Sequence, residues 1–461
     1  MELPVSFIKQ TQALLGEEEY SKFEQALQNE SPVSIRINTM KNSPHDEWER
    51  VPWCSTGFYL NERPTFTFDP LFHAGCYYVQ EASSMFVEQV INEYITEPIL
   101  ALDLCAAPGG KSTHLRSLLP EGSFLVANEV IRNRSQILAE NLIKWGNPDV
   151  MITNNDPADF SSLNQLFDLI LTDVPCSGEG MFRKDPGAIE EWSLDNVEIC
   201  YQRQRRIIAD IWPSLKAGGI LIYSTCTYNV KEDEENIQWI KNELGAESLS
   251  LNIPENWGVT SDLAGTDIPA YRFLPHKTKG EGFFLAVLRK NEEQVADAVK
   301  MKPSKKNKKE KPLDIPKQAT QWLMHSEDFV LDRREDFVIA HRKENAELIN
   351  LLRQHLRIVH SGITIGEVKG KDLVPHHSLA MSSELNREQF TTYELDYDMT
   401  ISYLRKEAIM LDAFAPRGYL LLQYKNIPLG FVKNIGNRAN NLYPQEWRIR
   451  SGYLPEEVRC L

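Results

Sequence analysis

Between residues 99 and 290 the chain alternates short, wholly apolar runs with longer amphipathic ones. Ile99–Leu104, Ser123–Ala127, Asp149–Thr153, Leu169–Thr172 and Ile220–Ser224 are hydrophobic stretches of strand length. Near-continuous apolar character over that length marks strands covered on both faces of a parallel sheet. The segments between them, at about Gly110–Leu119, Ile131–Trp145, Asn196–Leu215 and Lys231–Leu244, predict crossover helices. Two further apolar stretches, Tyr271–Leu274 and Gly282–Leu288, flank the loop PHKTKGEG and predict a closing hairpin at the sheet edge. The fold class expected is therefore α/β, with a parallel sheet and crossover helices at its centre.

Outside this block the pattern changes twice. Residues 1–45 predict one or two amphipathic helices, from Phe7, Leu14, Leu15, Phe23 and Leu27, and then a short strand at Pro32–Asn38. Residues 291–317 are charged and rich in Pro and Lys, which is linker composition. Beyond it, 318–356 reads as mixed and helical, and from Ile358 short apolar runs alternate with glycine turns in a β-rich tail. The expected division is an extension over 1–75, the α/β domain over 76–290, the linker, a mixed segment over 318–400 and a small domain over 401–461.

Charge and cysteine usage narrow the function classes. Of the 461 residues, 65 are acidic and 50 basic, a net charge of −15 that by itself argues against a nucleic-acid partner. Basic residues nevertheless cluster at 203–206, 300–311 and 433–450; residues 300–311 alone hold seven lysines and one glutamate. The seven cysteines (54, 76, 105, 176, 200, 226 and 460) include no C-x-x-C pair, so neither a metal site nor a disulfide framework is expected. No apolar run approaches a membrane span, and the N-terminus has no secretory pattern. A cytoplasmic protein without metal or membrane is the expectation.

The segment Ala101–Thr113, ALDLCAAPGGKST, is a strand, a glycine turn and a helix start, where free N–H groups and partial positive charge accept a cofactor. A phosphate loop is one reading of GGKST, but Cys105 stands where its first glycine belongs. A dinucleotide fold is another, but G-x-G-x-x-G is absent. The third is S-adenosylmethionine, which has no phosphates. It asks for a carboxylate beside the ribose, and Glu129 stands at the end of the second strand. Asp156 follows the third strand, where it suits the adenine amine, and Asp173 ends the fourth. Any one of these acids has an ordinary reading as a loop cap; three at successive strand ends line the crevice where open α/β sheets bind ligands.

Two thiols complete the pattern. Cys176 follows the fourth strand in DVPCSGEG and Cys226 follows the fifth in YSTCTYN, so adjacent strand ends bring both to one cleft. A thiolate is suited to transient addition to a pyrimidine ring, which is what methylation of cytosine at C5 requires. Small buried core cysteines are the competing explanation.

DLCAAPGGKST, DVPCSGEGMFRKDP and YSTCTYNVKEDEEN together resemble the motifs of the Nol/Nop/Sun family of RNA cytosine-5 methyltransferases, over roughly Tyr78–Lys290. The basic linker and β-rich tail resemble its RsmF-like subgroup, which acts on 16S ribosomal RNA. The resemblance implies a Rossmann-like S-adenosylmethionine-dependent methyltransferase domain with an N-terminal α+β extension and a C-terminal PUA-like β-rich domain. It implies Cys226 as the nucleophile and Cys176 as the residue that assists product release, a division of roles that spacing alone leaves open. It implies that Cys105, Ala106, Ala107, Pro108, Gly109, Gly110 and Lys111 surround the methionine end of the cofactor, that Glu129 holds its ribose and that Asp156 holds its adenine. Asp173 would face N3 of the target base. Arg134 would orient Glu129 or lie exposed on its helix; Lys184 and Arg183 would contact RNA or be ordinary surface residues; His276 is expected to be inert. Tyr443, Trp447, Arg448 and Arg450 suit RNA binding, although packing explains the aromatic residues equally well. The expected partner is ribosomal RNA within the small subunit. Transfer RNA is the rival substrate, and a non-catalytic ribosome assembly factor is the rival class.

Overall fold

In the computed structural model, residues 2–43, 47–291, 315–452, 458 and 460–461 are described. The lysine run 300–311 lies outside them, as does nearly all of the expected linker. The centre is a nine-stranded sheet, numbered in chain order: β1 (Leu100–Asp103), β2 (Phe124–Asn128), β3 (Val150–Thr153), β4 (Phe167–Asp173), β5 (Leu215–Thr225), β6 (Ala246–Leu249), β7 (Ala270–Phe273), β8 (Phe283–Lys290) and β9 (Ile358–Ser361). Five of these strands are parallel in the order β5-β4-β1-β2-β3. The order reverses between β1 and β4, and the crevice for a ligand opens outside the carboxyl ends at that point.

Buried apolar residues along these strands feed two cores. Ala101, Leu125, Leu169 and Ile222 face one side, packed with α1 (Gly110–Leu118) and α2 (Arg132–Trp145). Their neighbours Leu102, Val126, Ile170 and Leu221 face the other, packed with α3 (Leu194–Ile211) and α4 (Glu234–Leu244). The period of two sends adjacent side chains to opposite faces. The third crossover helix stops at Ile211 rather than Leu215. A 3-10 turn, Trp212–Ser214, follows, because Pro213 cannot donate to a continuing helix.

The closing hairpin is present but is not the outermost element. β8 pairs antiparallel with β5 on one side. On its other side β7 and β6 pair with successive halves of it, end to end. β6, AESL, has no apolar pattern; pairing with β8 makes it a strand.

The opposite edge is closed from beyond the linker. β9 pairs antiparallel with β3, with Ile358 opposite Thr153 and Ser361 opposite Met151. The preceding helix α5 (Ala346–His355) places Leu348, Ile349, Leu351 and Leu352 in the same core as Leu102 and Val126. The central sheet thus crosses the expected boundary between the α/β domain and the segment 318–400.

An N-terminal four-stranded sheet (Val33–Ile37, Glu49–Arg50, Gly57–Leu60, Tyr77–Val79) and two C-terminal four-stranded sheets complete the fold. Ile35, Phe58 and Tyr77 share a core with Leu404, Leu420, Val432 and Tyr443, so the tail is packed on the extension. Among the described residues no helix is long and apolar enough to cross a membrane.

Candidate active site

After β1 the chain turns through the loop 104–109 into α1. Gly109 has φ +115°, a conformation that glycine adopts without strain, and a Cβ on Gly110 would press on the Tyr78 ring at 3.3 Å. Arg36, fully buried on the N-terminal sheet, braces this turn. Its Nε donates to Gln80 Oε1 at 2.9 Å, and Nη2 donates to the Gly110 carbonyl at 3.2 Å and to Thr113 Oγ1. The extension therefore buttresses the cofactor loop, a role its sequence did not signal.

Lys111 reaches across the switch point. Its Nζ donates to Asp173 Oδ2 at 2.8 Å, and Ser224 Oγ donates to Asp173 Oδ1 at 2.8 Å. Burial opposes charge on Lys111, but the Asp173 carboxylate outweighs it and holds the amine above its ordinary range. Asp103, buried at the end of β1, accepts from Ser112 Oγ at 2.6 Å, while its Oδ1 has no protein partner. Burial pushes its carboxyl up to about 7. Burial, and then the nearby Asp103, Asp173 and Glu129, push the Cys105 thiol well up, so it stays protonated.

Glu129 is buried beyond β2 and accepts from the Ile131 N–H at 2.9 Å. Arg134 lies 3.6 Å from its Oε2 and donates to the Ala107 carbonyl at 2.8 Å, tying the acid to the cofactor loop. Asp156 caps the 3-10 helix Pro157–Ser162, accepting from the Ala158 N–H at 3.1 Å, and lies 3.5 Å from Arg206. Its observed bonds are those of a capping acid.

The thiols meet at the ends of β4 and β5. Cys176 Sγ and Cys226 Sγ are 3.2 Å apart, each a free thiol. The contact with Cys226 first, and burial second, raise the Cys176 thiol well above its ordinary range, so Cys176 stays protonated. Two buried acids that the motif reading passed over bind the loops together. Glu179, on the Cys176 loop, accepts from the Tyr228 N–H at 2.8 Å and from Trp192 Nε1 at 3.0 Å. Glu232, beyond Cys226, accepts from the Ser177 N–H at 3.0 Å and from Gln204 Nε2 at 2.7 Å. Both acids lie inside the quoted motifs, and only their burial and partners distinguish them from surface carboxylates. Close packing fixes the same region: a Cβ on Gly180 would lie 2.6 Å from the Gly282 carbonyl and 2.9 Å from that of Cys226.

Other candidates settle differently. Arg183 cannot hold a phosphate as placed. Its side chain is buried, with Nε 3.0 Å from Glu281 Oε2 and Nη2 donating to the Gly280 carbonyl at 2.7 Å. Lys184 is exposed and 3.9 Å from the same carboxylate. His276 is packed on the N-terminal helices, 3.1 Å from Glu19 and against the Phe23 ring. Tyr443 is a core residue, and Trp447 packs on His377 beneath the Lys144 ammonium; Arg450 is exposed.

The glycine turn, the free N–H groups of α1, the buried Glu129 and the unpartnered Asp103 Oδ1 fit the carboxylate, ribose and ammonium of S-adenosylmethionine. Parallel sheet, switch-point crevice and this donor set define an S-adenosylmethionine-dependent methyltransferase. Residues 93–289 match the 16S rRNA methyltransferase RsmB/F family, 3–82 the N-terminal domain of 16S rRNA methyltransferase RsmF and 390–449 the methyltransferase RsmF PUA domain. The ribosomal RNA small subunit methyltransferase F of Aliivibrio fischeri strain MJ11 is 31% identical over 474 residues, covering 98% of each chain. That of Vibrio cholerae strain M66-2 is 28% identical, covering 96% of this chain and 97% of its own. A methyltransferase homologue from Pyrococcus horikoshii superposes with a TM-score of 0.52 at 29% identity, over 62% of this chain and all of its own. NSun6 from the same organism, solved with SFG, shares the fold at a TM-score of 0.54 and 23% identity, over 62% of this chain and 98% of its own. The chain belongs to the ribosomal RNA small subunit methyltransferase F family.

Proposed function

We propose that this protein methylates C5 of cytosine in 16S ribosomal RNA through a covalent Cys226–C6 adduct. The observation that carries the reading is the 3.2 Å contact of Cys226 with Cys176 beside Asp173, at the strand ends that adjoin the cofactor loop. Residues 105–111, Glu129 with Arg134, and Asp156 hold S-adenosylmethionine, which supplies an electrophilic methyl group on a sulfonium. The target base leaves its stack to enter the crevice. Cys226 thiolate adds to C6, and electron density moves to C5. Asp173 meets the N3 edge, with the Lys111 ammonium behind it to offset the developing negative charge. After C5 is methylated, Cys176, kept as S–H against that sulfur, passes its proton to the departing Cys226 thiolate and takes the C5 proton in its place as the ring double bond is restored; Cys226 then releases its proton to solvent and is a thiolate again.

The assay is radiolabelled methyl transfer from S-adenosylmethionine onto small ribosomal subunits, their naked RNA and transfer RNA, followed by bisulfite mapping. Label at a 16S cytosine is expected. Label on transfer RNA alone would replace the substrate, and label on none would leave an assembly factor.

A further inference from the structure

The two thiols are not held by their own strands alone. Each loop carries a buried acid whose carboxylate accepts a backbone N–H of the other loop: Glu232 from Ser177, and Glu179 from Tyr228. Asn229 Nδ2 lies between them, 2.8 Å from Glu232 Oε1 and 3.1 Å from Glu179 Oε1. Gln204, from α3, donates to Glu232 Oε2 at 2.7 Å and to the Pro175 carbonyl at 3.1 Å. The residues on both sides of Cys176 are therefore tied, directly or through one side chain, to Glu232. We propose that Glu232 is a positioning residue for the reaction: it sets the separation and mutual orientation of Cys176 and Cys226, and so governs release of the methylated base.

All three donors that reach Glu232 from Ser177, Asn229 and Gln204 are N–H groups. A carboxylate accepts them all, whereas Glu232→Gln turns an N–H donor against at least one of them. The peptide plane between Cys176 and Ser177 would then rotate, and the sulfurs would part. A displacement of about 1 Å between reacting groups costs about a hundredfold in rate. This rests on the assignment of the two thiols under the function proposed above, but its first test does not.

The probe is diamide, which accepts two electrons and two protons from a thiol pair and becomes the hydrazine as the S–S bond forms. Non-reducing peptide mapping then reports the rate of the Cys176–Cys226 disulfide, with no RNA and no methyl donor present. The native pair is expected to close rapidly, since its sulfurs need only approach from 3.2 Å to about 2.05 Å. Glu232→Gln is expected to slow closure by about a hundredfold, and Gln204→Met, which loses the Pro175 and Glu232 contacts, to slow it less. Val90→Ala, a cavity variant in the core behind α1 that touches neither loop, is expected to lower the melting temperature and leave the closure rate unchanged. On RNA, Glu232→Gln should lower kcat and accumulate a denaturation-resistant protein–RNA band, with KM for S-adenosylmethionine unchanged. If Glu232→Gln does not fold, Gln204→Met carries the test. Native closure rates in the folded variants would overturn the proposal. Slowed closure with no RNA adduct in any variant would uphold the positioning and overturn the covalent reading instead.

Discussion

The crevice has two halves, and they are built differently. In the cofactor half each acid sits at or just beyond a strand end and accepts a hydrogen bond from nearby in the chain: Asp103 from Ser112, Glu129 from Ile131 and Asp156 from Ala158, with the Arg206 contact of Asp156 the one long-range addition. In the thiol half, the loops after β4 and β5 are held by side chains from α3, from the turn before α4 and from Trp192. The first arrangement follows from where parallel strands end. The second needs five buried partners to agree, because a thiol pair must be placed relative to each other and not only relative to a sheet. A change in the cofactor half should therefore weaken binding, and one in the thiol half should stop or trap the reaction.

The sharpest break of this contrast is Cys226→Ala, expected to lower methyl transfer by roughly four orders of magnitude or more, as when a covalent nucleophile is lost, and to form no adduct. Cys176→Ala should instead slow release and trap the RNA, visible as a slowly migrating band on a denaturing gel; reversal of these two outcomes would exchange the roles. In the other half, Glu129→Ala removes a buried carboxylate, and a charged hydrogen-bond partner is worth about 1.5–3 kcal/mol. S-Adenosylmethionine affinity measured by calorimetry should fall roughly tenfold to a hundredfold, while the thiols still close a disulfide.

The remaining two predictions concern stability. Leu352→Ala on α5 should destabilise the protein by about 2–5 kcal/mol in denaturant unfolding, since its side chain is fully buried in the core that also holds Leu102 and Val126. An effect near zero would show that the segment beyond the linker is only loosely docked. The smallest effect is pH-dependent. Burial lifts Asp103 to about 7, above its unfolded value, so the folded state holds the extra proton. Stability therefore falls as pH rises from about 4 to about 7, by the linkage between proton uptake and folding. Asp103→Asn should flatten that slope in melting temperature against pH; an unchanged slope would remove Asp103 as its source.

The parallel strands were legible because two-sided burial writes a near-continuous apolar run. The cofactor loop was legible because a strand, two glycines and a helix start are adjacent in the chain. Helix ends were less so: Pro213 stops α3 four residues before Leu215. For Arg183 the sequence offered an RNA contact or an ordinary surface position, and neither holds, because charge is visible in a sequence while burial against Glu281 is not. For Tyr443 the sequence left RNA binding and packing equally open, and the structure places it in the core shared with Ile35 and Phe58.

By itself, the order of residues determined the local units: which runs become strands, where the chain turns and which chemical groups stand at those turns. Tertiary structure alone decided that β9 closes the sheet from beyond the linker, that Arg36 braces the cofactor turn and that Glu179 and Glu232 exchange bonds between the thiol loops. The reason is range. Periodicity and turn chemistry act between residues a few positions apart, whereas a buried carboxylate also depends on donors that folding delivers from far off, as Gln204 and Ser177 reach Glu232 from 28 and 55 positions away.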